Sequence, residues 1–386
     1  MNIPDLPKPD AVALDHSARL QTLIACHIAA AGGWISFARY MELALYAPGL
    51  GYYSAGAVKF GTEGDFVTAP EMTPLFGQTL ARQAMDVLQQ TGGSILELGA
   101  GRGRLAAAML EEMQRAGTLP EQYLILEVSA DLKSVQQAYL QSVLPADLYA
   151  KLVWLDALPD GFTGVMVANE VLDAVPVHLV RRQNGVWQKM GVELDAQGAL
   201  KMQPRPLTDT ALLQAAESLH VPEGYQSEIN PQAQALVASL SASLQKGVLL
   251  FIDYGFPRAE YYHPQRSQGT LMCHYRHHAH GDVFLYPGLQ DLTAHVDFSA
   301  VAEAGIAQGL QLLGYCGQAQ FLINCGITDL MLRVPVHDLQ RYAPLASQAQ
   351  KLLSPAEMGE LFKVIALGKG VRPLAGFIHG DRSHTL

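Results

Sequence analysis

Cysteine is scarce in this chain: four residues, Cys26, Cys273, Cys316 and Cys325, in 386. They are widely spaced and include no C-x-x-C pair, which excludes a cysteine-built zinc site and a disulfide framework and favours a reducing compartment. Charge is scarce too, at 16% against roughly 25% in an average soluble protein. Within it, 26 basic residues face 36 acidic ones, a formal net charge of −10. A chain so short of positive charge lacks the broad basic footprint of nucleic-acid binders. Long apolar runs are missing as well. Stretches such as Val248-Leu-Leu-Phe-Ile252 are strand-sized and far too short to cross a bilayer, so no membrane insertion is expected. The first residues, Met1 to Pro9, lack the apolar core of a secretory signal and the Arg-rich helix of a transit peptide; the expectation is a cytoplasmic, bacterial protein. No internal repeat and no low-complexity block is visible.

What is abundant is apolar side chain, 49% of residues, enough for a packed core and incompatible with general disorder. The length calls for one large domain with insertions, or two domains. Apolar residues at helical spacing predict a helix from Leu14 to Ala31, ended by Gly32-Gly33. A second is expected after Ser36, through Phe37, Tyr40 and Leu45, and a third over Pro74–Gln90. From residue 94 the rhythm alternates: strand Ser94–Glu97, glycine turn, helix Leu105–Ala116, strand Tyr123–Val128, helix Asp131–Ser142, strands Leu152–Leu155 and Gly164–Ala168. Such alternation implies an α/β fold with a parallel, doubly wound sheet. Asn184-Gly185, between two apolar-patterned runs, reads as a hairpin that interrupts it. After helix Pro231–Leu244 and buried strand Val248–Asp253, the stretch 254–296 reads as loop-rich. Helix Ser299–Gln308, strand Leu310–Tyr315 and a late strand, Phe362–Leu367, complete the pattern. The organisation read from this is an N-terminal helical region with a covering loop, 1–75, and a Rossmann-like domain, 76–386, carrying insertions at about 177–230 and 254–296.

The strongest local signal is Ile95-Leu-Glu97-Leu-Gly99-Ala-Gly101-Arg-Gly103-Arg104, between a strand and a helix. Glycines there let a backbone approach a ligand closely. A nicotinamide fingerprint ends in a small residue that permits tight packing around a pyrophosphate; here Arg104 stands in its place. A G-x-G-x-G turn preceded by an acid suits S-adenosylmethionine better, since Glu97 can meet the cofactor's amino group. The next strand ends in Glu127, where a carboxylate can accept both hydroxyls of an adenosyl ribose. Asp156, ending the third strand, is a candidate for the adenine amine, or an ordinary loop residue. The fourth strand delivers Asn169-Glu170-Val-Leu-Asp173-Ala-Val-Pro176. That segment is not the Asn/Asp-Pro-Pro-Tyr of enzymes acting on adenine or glutamine amides, but it brings two carboxylates to a sheet edge where doubly wound folds do chemistry.

These blocks, with Tyr46-Ala-Pro-Gly-Leu-Gly-Tyr-Tyr53, Gly64-Asp-Phe-Val-Thr-Ala-Pro-Glu71, Ile252-Asp-Tyr-Gly255, Gly269-Thr-Leu-Met-Cys-His-Tyr275 and Pro287-Gly-Leu-Gln-Asp-Leu-Thr-Ala-His-Val-Asp-Phe298, resemble the MidA family of complex I assembly-factor arginine methyltransferases. The resemblance spans about 46–298. It implies a class I, Rossmann-like S-adenosylmethionine methyltransferase with extra helices and inserts. It also implies a protein substrate, by analogy a respiratory complex I subunit, while bacterial members have no settled substrate. Asp65, Thr68 and Pro70 are then expected to fold over the cofactor, beside Glu97, Gly99, Gly101, Gly103, Glu127, Asp156 and Asn169.

An arginine guanidinium is a poor nucleophile that must be held by carboxylates. Glu170 and Asp173 are the candidates for that clamp, although Asp173 equally suits a helix start. Asp253 ends the next buried strand and either touches substrate or anchors a loop. His295, between Asp291 and Asp297, is a candidate proton relay. His274, His277, His278 and His280 lack a compact ligand pattern, so no metal is expected and a polar lid is the better reading. The competing functions are a non-catalytic cofactor-binding assembly factor, a small-molecule methyltransferase and a nicotinamide-dependent oxidoreductase. Oligomeric state is left open.

Overall fold

A computed structural model describes residues 6–54 and 68–386. The chain divides into two compact units. One comprises Met1–Phe66, Asp173–Ala233 and Arg258–His295; the other comprises Val67–Leu172, Gln234–Pro257 and Val296–Leu386.

The larger unit is a sheet covered by helices. Its strands are β1 (Ser94–Leu98), β2 (Tyr123–Leu126), β3 (Leu152–Leu155), β4 (Phe162–Asn169), β5 (Leu244–Phe256), β6 (Gln311–Gly317) and β7 (Phe362–Lys369). They lie in the order β6-β7-β5-β4-β1-β2-β3, and the short strand Val296–Asp297 extends the end of β5. From β1 to β3 the chain moves outward in one direction, and from β4 to β5 in the other. The reversal between β1 and β4 creates the crevice at which doubly wound sheets bind ligands, beyond the carboxyl ends of the strands. β1 to β5 pair parallel, as the alternating pattern predicts. The late strand β7 instead inserts antiparallel between β5 and β6.

The strands read as continuous apolar runs because both faces are covered. Ile95, Val165, Val167, Val248, Leu250, Ile252 and Val364 pack in one core with Leu80, Ala84 and Val87 of α1 (Pro74–Thr91) and Met109 and Met113 of α2 (Arg104–Arg115). α1 starts where it does because the Thr73 hydroxyl accepts from Leu75 N and Pro74 occupies the first turn. The next helix, α3 (Ala130–Val143), is capped by Ser129 in the same manner.

The smaller unit gathers what the sequence presents as an N-terminal region and two insertions. Its five-stranded sheet pairs Ile35–Ser36 with Val186–Leu194. That strand forms a hairpin with His178–Gln183 through Asn184 and Gly185, both at positive φ, as a tight two-residue turn requires. The stretch 254–296, expected to be loop-rich, contains a small antiparallel sheet of Met272–Tyr275, His278–His280 and Asp291–Thr293. Strands of three or four residues are too short to show an alternation, hence the miss. Helices Ala11–Ala30 and Phe37–Tyr46 supply Leu20, Ile24, Phe37, Tyr40 and Met41 to a core shared with Leu179, Val192, Cys273 and Leu292. Their apolar stripes are core.

Candidate functional site

At the carboxyl end of β1 the chain turns through Gly99, Gly101 and Gly103, all at positive φ. Gly103 N–H closes the turn on the Ala100 carbonyl at 2.7 Å, and Gly103 caps α2 in the left-handed region that a side chain would strain. A Cβ built on Gly101 would meet nothing within 4 Å, so this backbone is bare and open to a ligand. Arg104 explains its own presence: Nε donates to Glu71 Oε2 at 2.6 Å and the guanidinium lies over the Tyr139 ring. Glu71 belongs to the short helix Ala69–Met72, which carries Pro70 and follows Thr68, whose carbonyl accepts from Glu71 and Met72 N–H. Thr68 and Pro70 are thereby tied to the start of α2. Asp65 lies outside the described residues.

Two buried carboxylates flank the turn. Glu97, 3% exposed, accepts from Tyr123 Oη at 2.7 Å. Burial pushes its carboxyl up to about 7; the tyrosine hydrogen bond works against that shift, and the charge of Glu127 adds to it. Glu127 follows β2. Its Oε1 accepts from Ser129 N at 2.8 Å and its Oε2 from Gln136 Nε2 at 2.9 Å. Burial raises its pKa and those donors hold it back. Asp156 stands apart from them: its side chain is 87% exposed and its partner is Lys133 Nζ at 3.2 Å.

At the end of β4, Asn169 Nδ2 donates to Glu170 Oε1 at 3.0 Å, while the buried Asn169 Oδ1 meets no hydrogen-bond partner among the described residues. Glu170 itself sits at φ 53, in the left-handed region, with its N–H on the Ile252 carbonyl of β5. Buried Asp253 anchors the residues next in the chain: Oδ2 accepts from Val171 N at 3.2 Å and Leu172 N at 2.9 Å, and Oδ1 from Tyr254 N. Of the two readings open for Asp253, these bonds describe the loop anchor.

Asp173 and His295 fall in the smaller unit, where the Asp173 carbonyl accepts from Ala294 N at 3.0 Å. His295 N donates to Thr270 Oγ1. Thr270 in turn donates, through N and Oγ1, to the buried carboxylate of Glu228, which Tyr261 Oη and Leu271 N also reach. Tyr53 Oη donates to both oxygens of Asp291, at 3.0 and 3.1 Å, and its ring stacks on Tyr46. Burial, with the charges of Asp291 and Asp173 nearby, holds the Tyr53 phenol well above its ordinary value. The Tyr46–Tyr53, Asp173 and Asp291–His295 blocks, far apart in sequence, are therefore neighbours. Among the described residues no group of three metal-ligating side chains comes together.

The donor set of the larger unit fits S-adenosylmethionine. The bare glycine backbone leaves room for a flat adenosyl group, Glu127 suits a ribose diol, and Glu97 suits an ammonium. Gln136 and Trp154 had no motif to announce them; the only available signal was a polar Gln136 interrupting the buried Leu132/Leu140 stripe of α3.

A family model for S-adenosyl-L-methionine-dependent methyltransferases matches residues 79–316. A crystal structure from Burkholderia thailandensis, bound to S-adenosyl-homocysteine, is 50% identical, covers 99% of this chain and 100% of that one, and superposes with a TM-score of 0.96. The mitochondrial protein arginine methyltransferase NDUFAF7 of Danio rerio is 31% identical over 91% of this chain and 88% of its own; the human NDUFAF7 is also 31% identical, over 87% and 80%. Arg104 already spoke against a nicotinamide cofactor, and the family model, with a homologue that holds S-adenosyl-homocysteine, gives the one that belongs here, S-adenosylmethionine. By match, identity and coverage, the chain belongs to the S-adenosyl-L-methionine-dependent methyltransferases.

Proposed function

We propose that the protein transfers a methyl group to an arginine side chain of a protein substrate, by analogy a subunit of respiratory complex I. The observation that carries this reading is the acidic stretch from Glu170 to Asp173 beyond β4, in a chain 31% identical to proteins named protein arginine methyltransferases.

When bound, S-adenosylmethionine supplies an electrophilic methyl on a sulfonium. Glu97 takes its ammonium, Glu127 its ribose hydroxyls, and Asn169, with a buried amide oxygen to satisfy, a further polar group. Asp156, standing in solvent, has the least to offer the adenine. Thr68 and Pro70, tied to the start of α2, belong to a segment that covers the cofactor. Glu170 orients the guanidinium by a charge-assisted hydrogen bond and concentrates electron density on the attacking nitrogen; Asp173, the second carboxylate of the stretch, is the other candidate for the clamp. On the resemblance of the Asp291–Asp297 block alone, His295 is the candidate to accept the proton released after transfer.

The test uses radiolabelled S-adenosylmethionine with extract from a strain lacking the protein, followed by mass spectrometry of labelled peptides. Methyl-arginine in wild-type reactions supports the reading. Glu170→Gln is expected to lower turnover at least a hundredfold while S-adenosylhomocysteine affinity stays within about twofold. Label confined to small molecules, or none with competent protein, refutes the arginine reading. Undiminished turnover by Glu170→Gln refutes the catalytic assignment.

A further inference from the structure

We infer that Gln136 is the positioning residue of the cofactor site, and that Trp154 sets it. Gln136, 0% exposed, sits on α3 between the ends of three strands. Its Nε2 donates to Glu127 Oε2 at 2.9 Å and to the Gly101 carbonyl at 3.0 Å, and its Oε1 accepts from Trp154 Nε1 at 3.0 Å.

The direction of this amide is dictated by chemistry. An indole N–H only donates, so the oxygen must face Trp154. Both amide protons then face acceptors, one on the carboxylate after β2 and one on the glycine turn after β1. One side chain thus ties the carboxylate to the turn. Ser129 N holds Oε1, Gln136 holds Oε2 and the Val128 N–H adds a third donor, so the carboxylate is fixed in place to meet two vicinal hydroxyls without reorganising. If the amide were reversed, its oxygen would oppose the carboxylate. Trp154 therefore acts on the cofactor through Gln136. The inference rests on the reading that Glu127 receives the ribose.

The experiment measures S-adenosylhomocysteine affinity of the full-length protein by calorimetry from pH 5.5 to 8.5, each variant expressed as a ratio to wild type. Gln136→Glu sets a second carboxyl against Glu127, with Glu97 behind. Two such groups share one proton and cannot both ionise readily. With that proton held, the introduced carboxylic acid still donates to Glu127 but leaves the Gly101 carbonyl without its donor, so the ratio is smallest, a few-fold, at low pH. It is expected to reach tenfold or more as the proton leaves, the loss of one hydrogen bond to a charged group. Trp154→Phe keeps an aromatic ring but removes the N–H and frees the amide to turn, and is expected to weaken binding several-fold at every pH. A ratio flat across pH for folded Gln136→Glu, or unchanged affinity in Trp154→Phe, overturns the inference. Glu127→Gln separates the two failures: no loss there sinks the ribose reading itself, whereas a loss there with unresponsive Gln136 and Trp154 variants sinks only the positioning role.

Discussion

Replacing Glu97 by Gln should make the protein more stable, by an amount that depends on pH. Burial pushes the Glu97 carboxyl from an ordinary 4.5 up to about 7. Below pH 4.5 the proton is on in both folded and unfolded chains and burial of the group costs nothing through ionisation. Between 4.5 and 7 the unfolded chain releases a proton that the folded chain keeps, so stability falls as pH rises. Above 7 the folded chain carries a buried anion and the loss is complete, roughly 3 kcal/mol. Glutamine is neutral throughout and keeps an oxygen to accept the Tyr123 hydroxyl. The stability difference between Glu97→Gln and wild type is therefore expected to grow by about 2.5 kcal/mol from pH 5 to pH 8. Urea denaturation of the cofactor-free proteins across that range measures it, and other titrations cancel in the difference. Parallel curves would refute the reasoning. Binding supplies a second readout: a cofactor ammonium beside Glu97 favours its ionised form, so wild type should release a proton on binding near pH 6.5 and Glu97→Gln should not. Calorimetry in buffers of different ionisation enthalpy counts that proton.

Two other parts of the molecule give equally definite expectations. Glu112 is buried on α2, which by itself raises its pKa, but both Arg333 nitrogens, at 2.6 and 2.7 Å, and Arg115 at 2.5 Å together outweigh burial and lower it. Arg333→Ala leaves Arg115 alone with a buried anion and should cost about 2 kcal/mol at neutral pH. That cost should shrink as pH falls below the ordinary carboxylate range, because a depressed pKa contributes its stability above it; acid and neutral urea melts check this. Of the four thiols only Cys26 is exposed, while burial pushes Cys316 up to about 12 and Cys273 and Cys325 higher still. A thiol reagent should add one label to the native protein and four to the unfolded one, counted by intact mass.

The features legible in the sequence are those made locally. The β1 turn announces itself because three glycines at positive φ must be contiguous with the strand and helix they join, and Asn184-Gly185 announces a hairpin for the same reason. Glu97 and Glu127 were legible because a strand end puts them beside that turn. The smaller unit was not, since its sheet joins Ile35–Ser36 to Gly191 and Val192, and its loops hang on Glu228 through Thr270. Neither pairing leaves a periodic trace. The antiparallel entry of β7 between β5 and β6 is likewise a long-range choice. Gln136 was invisible for a sharper reason: a buried glutamine acquires its role from a tryptophan one strand away.

The turn after β4 shows how the fold supports an unfavourable conformation where chemistry is proposed. A left-handed glutamate costs of order 1 kcal/mol and persists only when its surroundings over-determine it. At Glu170 they do. The Ile252 carbonyl fixes its N–H, and the Asp253 carboxylate takes the next two N–H groups, Val171 and Leu172, from within a strand flanked by β4 and β7. Two hydrogen bonds to a buried anion are each worth more than the strain they hold. The Asp253 that ends a core strand thus contributes through backbone geometry. Glu170 is thereby free to differ from its neighbours in conformation without freedom to move, the condition under which one carboxylate can hold a cation in line for displacement.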